Sequence, residues 1–222
     1  MQETSLHAAL KTLYAQQGGQ LEVSVDDFLV DVLVNDLLIE IQTRNFSALK
    51  NKLAALVEQH TIRLVHPIPQ EKWIIHLPPK GGKPLSRRKS PKRGRLEHLF
   101  LELVSFPHLV THPNFSLEVL LTREEEIRRM DGRGSWRRGG ISIIDRRLVE
   151  VITRRLLASP EDFRDMIPAS LSQPFTNQQL ASELGITNRL ASQMTYCLRS
   201  MNVLTIVGTR RKPLLYAELP PE

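Results

Sequence analysis

Apolar residues recur at helical spacing between Ser5 and Gln17, with Leu6, Leu10, Leu13 and Tyr14 on one face, and Gly18-Gly19 ends the run. The pattern then changes to that of strands. Leu21 to Val25, Phe28 to Val34 and Leu37 to Thr43 are rich in Val, Ile and Leu, and the last two are nearly continuous apolar runs, as in strands covered on both faces. A helix is predicted from Phe46 to Gln59, followed by a strand at Ile62 to Val65 that stops at Pro67 and Pro69. A helix at Leu96 to Val104 and a strand at Phe115 to Leu121 extend this first domain. Through Pro69 the predicted order is helix, three strands, helix, strand, which is an α/β arrangement.

The end of the chain is patterned differently. Thr176 is placed to cap a helix running to Leu184, Gly185 turns the chain, and Thr187 or Asn188 starts a second helix to about Met201. This is helix-turn-helix spacing, with Leu180, Leu184, Leu190 and Leu198 as the expected core. Val203 to Val207 and Leu214 to Ala217 then read as two short strands joined by the basic tip Gly208 to Pro213. Together these elements resemble a winged helix.

Composition changes the picture in one respect. The chain has 222 residues, 41% hydrophobic and 24% charged, which is ordinary globular composition and excludes a disordered or collagen-like chain. Its formal net charge of +6 points to a polyanionic partner. The excess is concentrated. From Pro78 to Arg95, Lys80, Lys83, Arg87, Arg88, Lys89, Lys92, Arg93 and Arg95 occur among Gly, Pro and Ser with no acidic residue, as in a linker or a phosphate-binding loop. Arg128 to Arg138 is a second basic, Gly-containing segment, with Trp136 available to stack on a base or to pack in the core. The single Cys197 excludes an internal disulfide, and residues 1–20 lack the basic start and apolar run of a secretory signal, so a reducing cytoplasm is expected. No apolar stretch approaches the roughly 20 residues of a membrane helix.

The most informative arithmetic concerns Asn35-Asp36, a two-residue turn between apolar strands. With these residues as the loop, Val34 pairs with Leu37, Leu33 with Leu38, Val32 with Ile39, and Asp31 falls opposite Glu40. Gln42 lies on the same face as Glu40, one step further from the turn. Opposed residues have Cβ atoms about 4.5–5.5 Å apart, where like charges repel unless a cation sits between them. Magnesium suits such a place because it takes a few carboxylates together with water and phosphate oxygens.

These residues resemble the PD-(D/E)XK nuclease superfamily, which includes many restriction enzymes and Holliday-junction resolvases. The resemblance runs from about Glu3 to Pro69 and rests on Asp31 followed by Glu40-Ile41-Gln42 in the predicted element order. It implies a restriction-endonuclease-like αβββαβ core in which Asp31 and Glu40 hold Mg²⁺ or Mn²⁺. The family's third residue is usually a lysine that positions the attacking water, and Gln42 departs from that pattern. The family's variability implies that Gln42 itself, or a lysine moved to the following helix, takes the role. Lys50 lies at the edge of that helix's buried stripe, with Lys52 at the other edge. Glu3 matches a place where the family often carries a further acid. The stretch Ile39 to Phe46 also resembles a group of bacterial proteins without an assigned activity.

The seven histidines form no convincing metal set, because Pro107 and Pro113 break the helical spacing of His108 and His112. No Gly-rich phosphate loop is present. The expected organisation is a nuclease core at 1–77, a basic loop and extension of the core at 78–143, and a winged-helix-like module at 144–222. The expected activity is metal-dependent hydrolysis of DNA by Asp31, Glu40, Gln42 and Lys50. Arg87, Arg88, Lys89, Lys92, Arg93, Arg189, Arg210, Arg211 and Lys212 are expected to hold the nucleic acid, with Asn188, Ser192, Gln193 and Arg199 on the same helix as Arg189. A homodimer is left open, and no membrane partner is expected. The alternatives are a DNA-binding protein that keeps the nuclease fold without turnover, and a scaffold whose winged helix binds protein.

Overall fold

The computed structural model describes residues 4–16, 18–208 and 213–220. The fold is mixed α/β. Helix α1 (Ser5–Ala15) is capped by the Thr4 side chain, which accepts from the His7 amide, and it is followed by β1 (Gln20–Val25), β2 (Phe28–Val34) and β3 (Leu37–Ile41). The chain continues through α2 (Lys50–Leu56), β4 (Thr61–Leu77), β5 (Ser86–Lys89), α3 (Phe100–Leu103), β6 (Phe115–Met130) and β7 (Ile141–Leu157). It ends with α4 (Pro160–Arg164), α5 (Asn177–Leu184), α6 (Asn188–Ser200), β8 (Leu204–Val207) and β9 (Leu215–Glu218). One sheet is ordered β1-β2-β3-β4-β6-β7 with β5 added to β4, and β8 and β9 form a second.

The turn at Asn35-Asp36 sets the register of β2 and β3. Asn35 has φ 52°, the left-handed conformation such a turn demands. The pairs are Val34 with Leu37, Leu33 with Leu38 and Val32 with Ile39. This alternation buries Val32, Ile39 and Ile41 against Leu6, Leu10 and Tyr14 of α1, with Val65 and Leu120 in the same cluster. Helical spacing in α1 therefore fills one face of the strands it precedes.

Three expectations need correction. The strand predicted to stop before Pro67 runs on to Leu77. Backbone groups two apart point to the same side of a strand, so Pro67 and Pro69 withhold their missing donors from one side only. The Pro69 carbonyl still accepts from Gly94 at 2.8 Å, where a Cβ on residue 94 would come within 2.5 Å of that oxygen. The basic segment 78–95 is consequently no open connector. Leu85 donates to His76, Ser90 to Lys72, and β5 pairs with β4 through Trp73 with Lys89 and Ile75 with Arg87. Lastly, β7 belongs to the large sheet, although the sequence reading assigned it to the C-terminal module.

Contacts divide the chain into interleaved units rather than the successive spans 1–77, 78–143 and 144–222, because distant segments pair across long strands. One unit comprises 1–43, 65–96 and 119–155; the other comprises 44–64, 97–118 and 156–222. In the second, Phe46 stacks on Phe106 with ring centres 5.5 Å apart, and Phe106 meets Phe115 edge-on. Leu180, Leu190 and Leu198 are buried, and Leu184 is half-buried. Gly185 closes α5 at φ 62°, and Thr187 caps α6 by accepting from the Leu190 amide. Among the described residues, no helix is long and apolar enough to cross a membrane.

Candidate active site

Beyond Val32 and Ile39 the pairing of β2 with β3 gives way to bonds between side chain and backbone. The Ile41 amide donates to Asp31 Oδ2 at 2.9 Å, and the Asp31 amide donates to Glu40 Oε1 at 3.4 Å. Continuing the register sets Asp31 opposite Glu40. In β1, Leu21 pairs with Val32 and Val23 with Val30, so Glu22 falls opposite Asp31 on its other side. Three strands thus contribute three acids in one row. Glu40 is only 4% exposed, which would be costly for a carboxylate without polar partners.

Helix α1 supplies the positive side of this site. His7 and Lys11 are four residues apart and share a helix face. His7 Nε2 donates to the Ile41 carbonyl at 2.9 Å and lies 3.2 Å from Asp31 Oδ2, while Lys11 Nζ lies 4.0 Å from Asp31 Oδ1. Lys11 also donates to Glu22 Oε1 at 2.6 Å. Burial pushes the Asp31 carboxyl up, but the hydrogen bonds from His7 and the Ile41 amide and the charges of His7 and Lys11 outweigh it and hold the group below its ordinary value. A depressed value means that ionised Asp31 stabilises the fold above the unfolded value, and this contribution is lost as pH falls through the folded value. Asp31→Asn is therefore expected to melt earlier than the unchanged protein near pH 7, with the difference closing below about pH 4. Thermal melts across that range check this; a constant difference would mean that ionisation of Asp31 contributes nothing.

The other expected site residues are dispersed. The Gln42 amide donates to the Val65 carbonyl at 2.9 Å, and its own carbonyl accepts from His66 Nδ1 at 2.7 Å. Lys50 opens α2 and is exposed, in the unit that does not contain Asp31. Arg87 and Lys89 flank Trp73 and are paired with Glu125 and Glu71. Arg88, Lys92 and Arg93 are exposed and have no acidic partner among the described residues. Trp136 is 84% exposed, which removes it from the core. On α6, Arg189, Tyr196 and Arg199 are exposed beside half-buried Ser192 and Gln193. Burial pushes the Cys197 thiol up to about 12, so it is not a nucleophile. Glu3, Arg210, Arg211 and Lys212 lie outside the described residues.

His7, Lys11 and Glu22 were missed from sequence. A usable signal was present, since two polar residues at helical spacing adjoin the buried stripe of Leu6, Leu10 and Tyr14. Among the described residues, no group of three or more His, Cys, Asp or Glu side chains is arranged to hold a metal ion. Two carboxylates with the Ile41 carbonyl are a sparser set of hard oxygens, the kind that suits a cation retaining much of its water. Asp31 Oδ2 and the Ile41 carbonyl already converge on one positive hydrogen, that of His7 Nε2. Asp31, Glu40 and the Ile41 carbonyl are the oxygens that would have to hold a divalent cation here, and two of them already accept from His7.

Residues 4–158 match the model of a family described as "Domain of unknown function (DUF8091)". An uncharacterized protein of Treponema pallidum (strain Nichols) is 30% identical over 228 residues, an alignment spanning 99% of this chain and 86% of that protein. No solved structure matches.

Proposed function

The chain belongs to the family described as a domain of unknown function (DUF8091), and we propose that it is a metal-dependent nuclease that hydrolyses phosphodiester bonds in DNA. The observation that carries this reading is the pair of carboxylates on facing strand positions where the ladder between β2 and β3 ends, Asp31 accepting from the Ile41 amide and Glu40 from the Asp31 amide. A divalent cation, Mg²⁺ or Mn²⁺, would supply positive charge that makes water more acidic and offsets the charge growing on the phosphoryl oxygens. Asp31 and Glu40 would hold that cation, and His7 fixes the Ile41 carbonyl and the Asp31 carboxylate relative to each other. The oxygen of a water forms a bond to phosphorus as the bond from phosphorus to the leaving sugar oxygen breaks. The water's proton passes to solvent, and the leaving oxygen takes one from solvent.

The order α1, β1, β2, β3, α2, β4 supports a restriction-endonuclease-like core, and α5, α6, β8 and β9 support a winged helix. Arg88, Lys92 and Arg93, with Arg189 and Arg199 on α6, present positive charge to a phosphate backbone. A cytoplasmic setting fits such a substrate. Binding that rests on these cations must weaken with salt. Replacing Arg88, Lys92 and Arg93 together by glutamine is expected to lower the slope of log affinity against log salt by up to about 3, since each duplex phosphate contact contributes about 0.9. A fluorescence titration with duplex DNA over a salt series measures this; an unchanged slope would remove these residues from the interface.

A second reading, a DNA-binding protein without turnover, is favoured by the neutral Gln42, which supplies no charge where the PD-(D/E)XK pattern has lysine. Incubation with single-stranded, duplex and branched DNA, with and without Mg²⁺ or Mn²⁺, separates the two. Metal-dependent products support the nuclease. Salt-sensitive binding without cleavage of any of these DNAs supports the second reading, and absence of binding leaves the protein-scaffold alternative.

A further inference from the structure

We propose that the tip of the β6–β7 hairpin is a stacking platform for single-stranded DNA, with Trp136 taking a base on its ring and Arg133 and Arg137 meeting the flanking phosphates. The inference rests on the reading of the chain as a DNA-binding protein and is independent of hydrolysis. Trp136 is 84% exposed, so a large ring that burial would favour stands in water. One cation is already beside it, the Arg137 guanidinium, 5.7 Å from the ring centre. Arg133 and Arg137 are both exposed and make no ion pair with any described residue. An open aromatic face beside guanidinium groups without countercharges offers a single strand what it binds, a π-face for the base and charge for the backbone.

The turn holds this ring in a fixed place. Gly134 donates to the Gly140 carbonyl at 3.0 Å, Gly140 to the Ser135 carbonyl at 3.3 Å and Gly139 to the Trp136 carbonyl at 3.0 Å. A Cβ on residue 134 would come within 1.9 Å of the Ile141 carbonyl oxygen, so the crossing of the two sides of the tip needs glycine. Asp131, the one acid among residues 131–140, accepts from the Arg133 amide at 3.0 Å and the Ser142 hydroxyl at 2.8 Å. Its carboxylate is thus engaged within the turn. A ring presented by a turn already ordered loses little freedom on binding. Duplex DNA covers the faces of its bases by stacking, whereas a single strand leaves them open to the ring. An anionic membrane fits the tip less well. Trp136 is the one apolar side chain of residues 131–140, and attachment to a membrane surface grows with the apolar area buried.

The test uses the full chain, a labelled oligothymidylate and a duplex of the same length. Trp136→Ala is expected to weaken binding of the single strand about tenfold and of the duplex by no more than about twofold. Trp136→Phe keeps a ring and should stay within about threefold of the unchanged protein. Replacing Arg133 and Arg137 together by glutamine should lower the single-strand salt slope by up to about 1.4, at about 0.7 for each phosphate contact. The chain has two tryptophans, so Trp73→Phe leaves Trp136 as the reporter, and its fluorescence should be quenched by the oligothymidylate. Where Trp136→Ala melts below the assay temperature, that quenching carries the test, and its absence overturns the platform. Single-strand affinity within about twofold of the unchanged protein in folded Trp136→Ala, equal losses for single strand and duplex, or Trp136→Phe as weak as Trp136→Ala overturns the platform alone. Binding of the duplex without the single strand does the same. No binding of either DNA by the unchanged protein overturns the DNA-binding reading and the platform with it. Binding to phosphatidylglycerol vesicles that Trp136→Ala abolishes, with DNA affinity unchanged, assigns the tip to a membrane surface and overturns the inference.

Discussion

Glu40→Ala is expected to lower metal-dependent DNA cleavage by about a thousandfold or more, the size of effect that follows from losing several kcal/mol of transition-state stabilisation. Glu40 is one of two side-chain oxygen donors for the proposed cation, and its Oε1 lies 3.4 Å from the Asp31 amide, so its removal loosens the other donor as well. DNA affinity should change by no more than about threefold, because the exposed cations Arg88, Lys92 and Arg93, proposed to supply the salt-dependent part of binding, are untouched. Glu40→Gln separates charge from shape. It keeps an oxygen to accept from the Asp31 amide while removing the negative charge, and should be nearly as inactive with a melting temperature closer to the unchanged protein. Single-turnover cleavage and binding titrations of both variants measure the two effects. Equal loss of binding and cleavage would assign Glu40 to the fold rather than to the chemistry.

The second large effect is on stability. Glu124 on β6 is fully buried, and its Oε2 accepts from Arg146 Nε at 3.1 Å and Nη2 at 2.7 Å, while its Oε1 accepts from the Thr122 hydroxyl at 2.7 Å. Arg146 lies on β7, so this pair, with two guanidinium nitrogens on one carboxylate oxygen, ties the last strand of the large sheet to its neighbour. Arg146→Ala leaves a buried carboxylate without its countercharge and is expected to cost about 3–5 kcal/mol. At roughly 2–4 °C per kcal/mol for a chain of this size, the melting temperature should fall by about 10 °C. Replacing both residues by leucine should restore much of the loss, since a buried ion pair contributes little over well-packed apolar side chains. Circular dichroism melts decide the matter. A fall of less than about 1 kcal/mol for Arg146→Ala would show that Glu124 is neutralised in another way.

How much of this was legible in the sequence depended on whether a local rule governed it. Asn35-Asp36 is a local turn signal, and it gave the register from Val34-Leu37 to Val32-Ile39 correctly. Thr176, Gly185 and Thr187 are caps, again local, and α5 begins and ends, and α6 begins, where they direct. The failures have long-range causes. Strand β7 was lost because Asp145, Arg146, Arg147, Glu150, Arg154 and Arg155 interrupt the alternation, and the partners of Arg146 and Glu150, Glu124 and Arg123, lie on β6, more than 20 residues away. Strand β4 was cut short at Pro67 and Pro69 because the segment that accommodates them, at Gly94, was read as a loop. The spacing of α2 shows its apolar face and so places Lys50 at the edge of that face. The contact of Lys11 with Asp31 depends on the packing of α1, which no local pattern states.

The most direct measurement is a time course of labelled DNA with the unchanged protein and Asp31→Asn, each purified identically and each assayed with Mn²⁺ and with chelator. The expected result is cleavage only by the unchanged protein and only with metal, with both proteins retaining salt-sensitive DNA binding. Equal cleavage by the two proteins, cleavage that persists in chelator, or no cleavage by the unchanged protein while it binds the DNA, would contradict the assignment of Asp31 and Glu40 as a hydrolytic metal site.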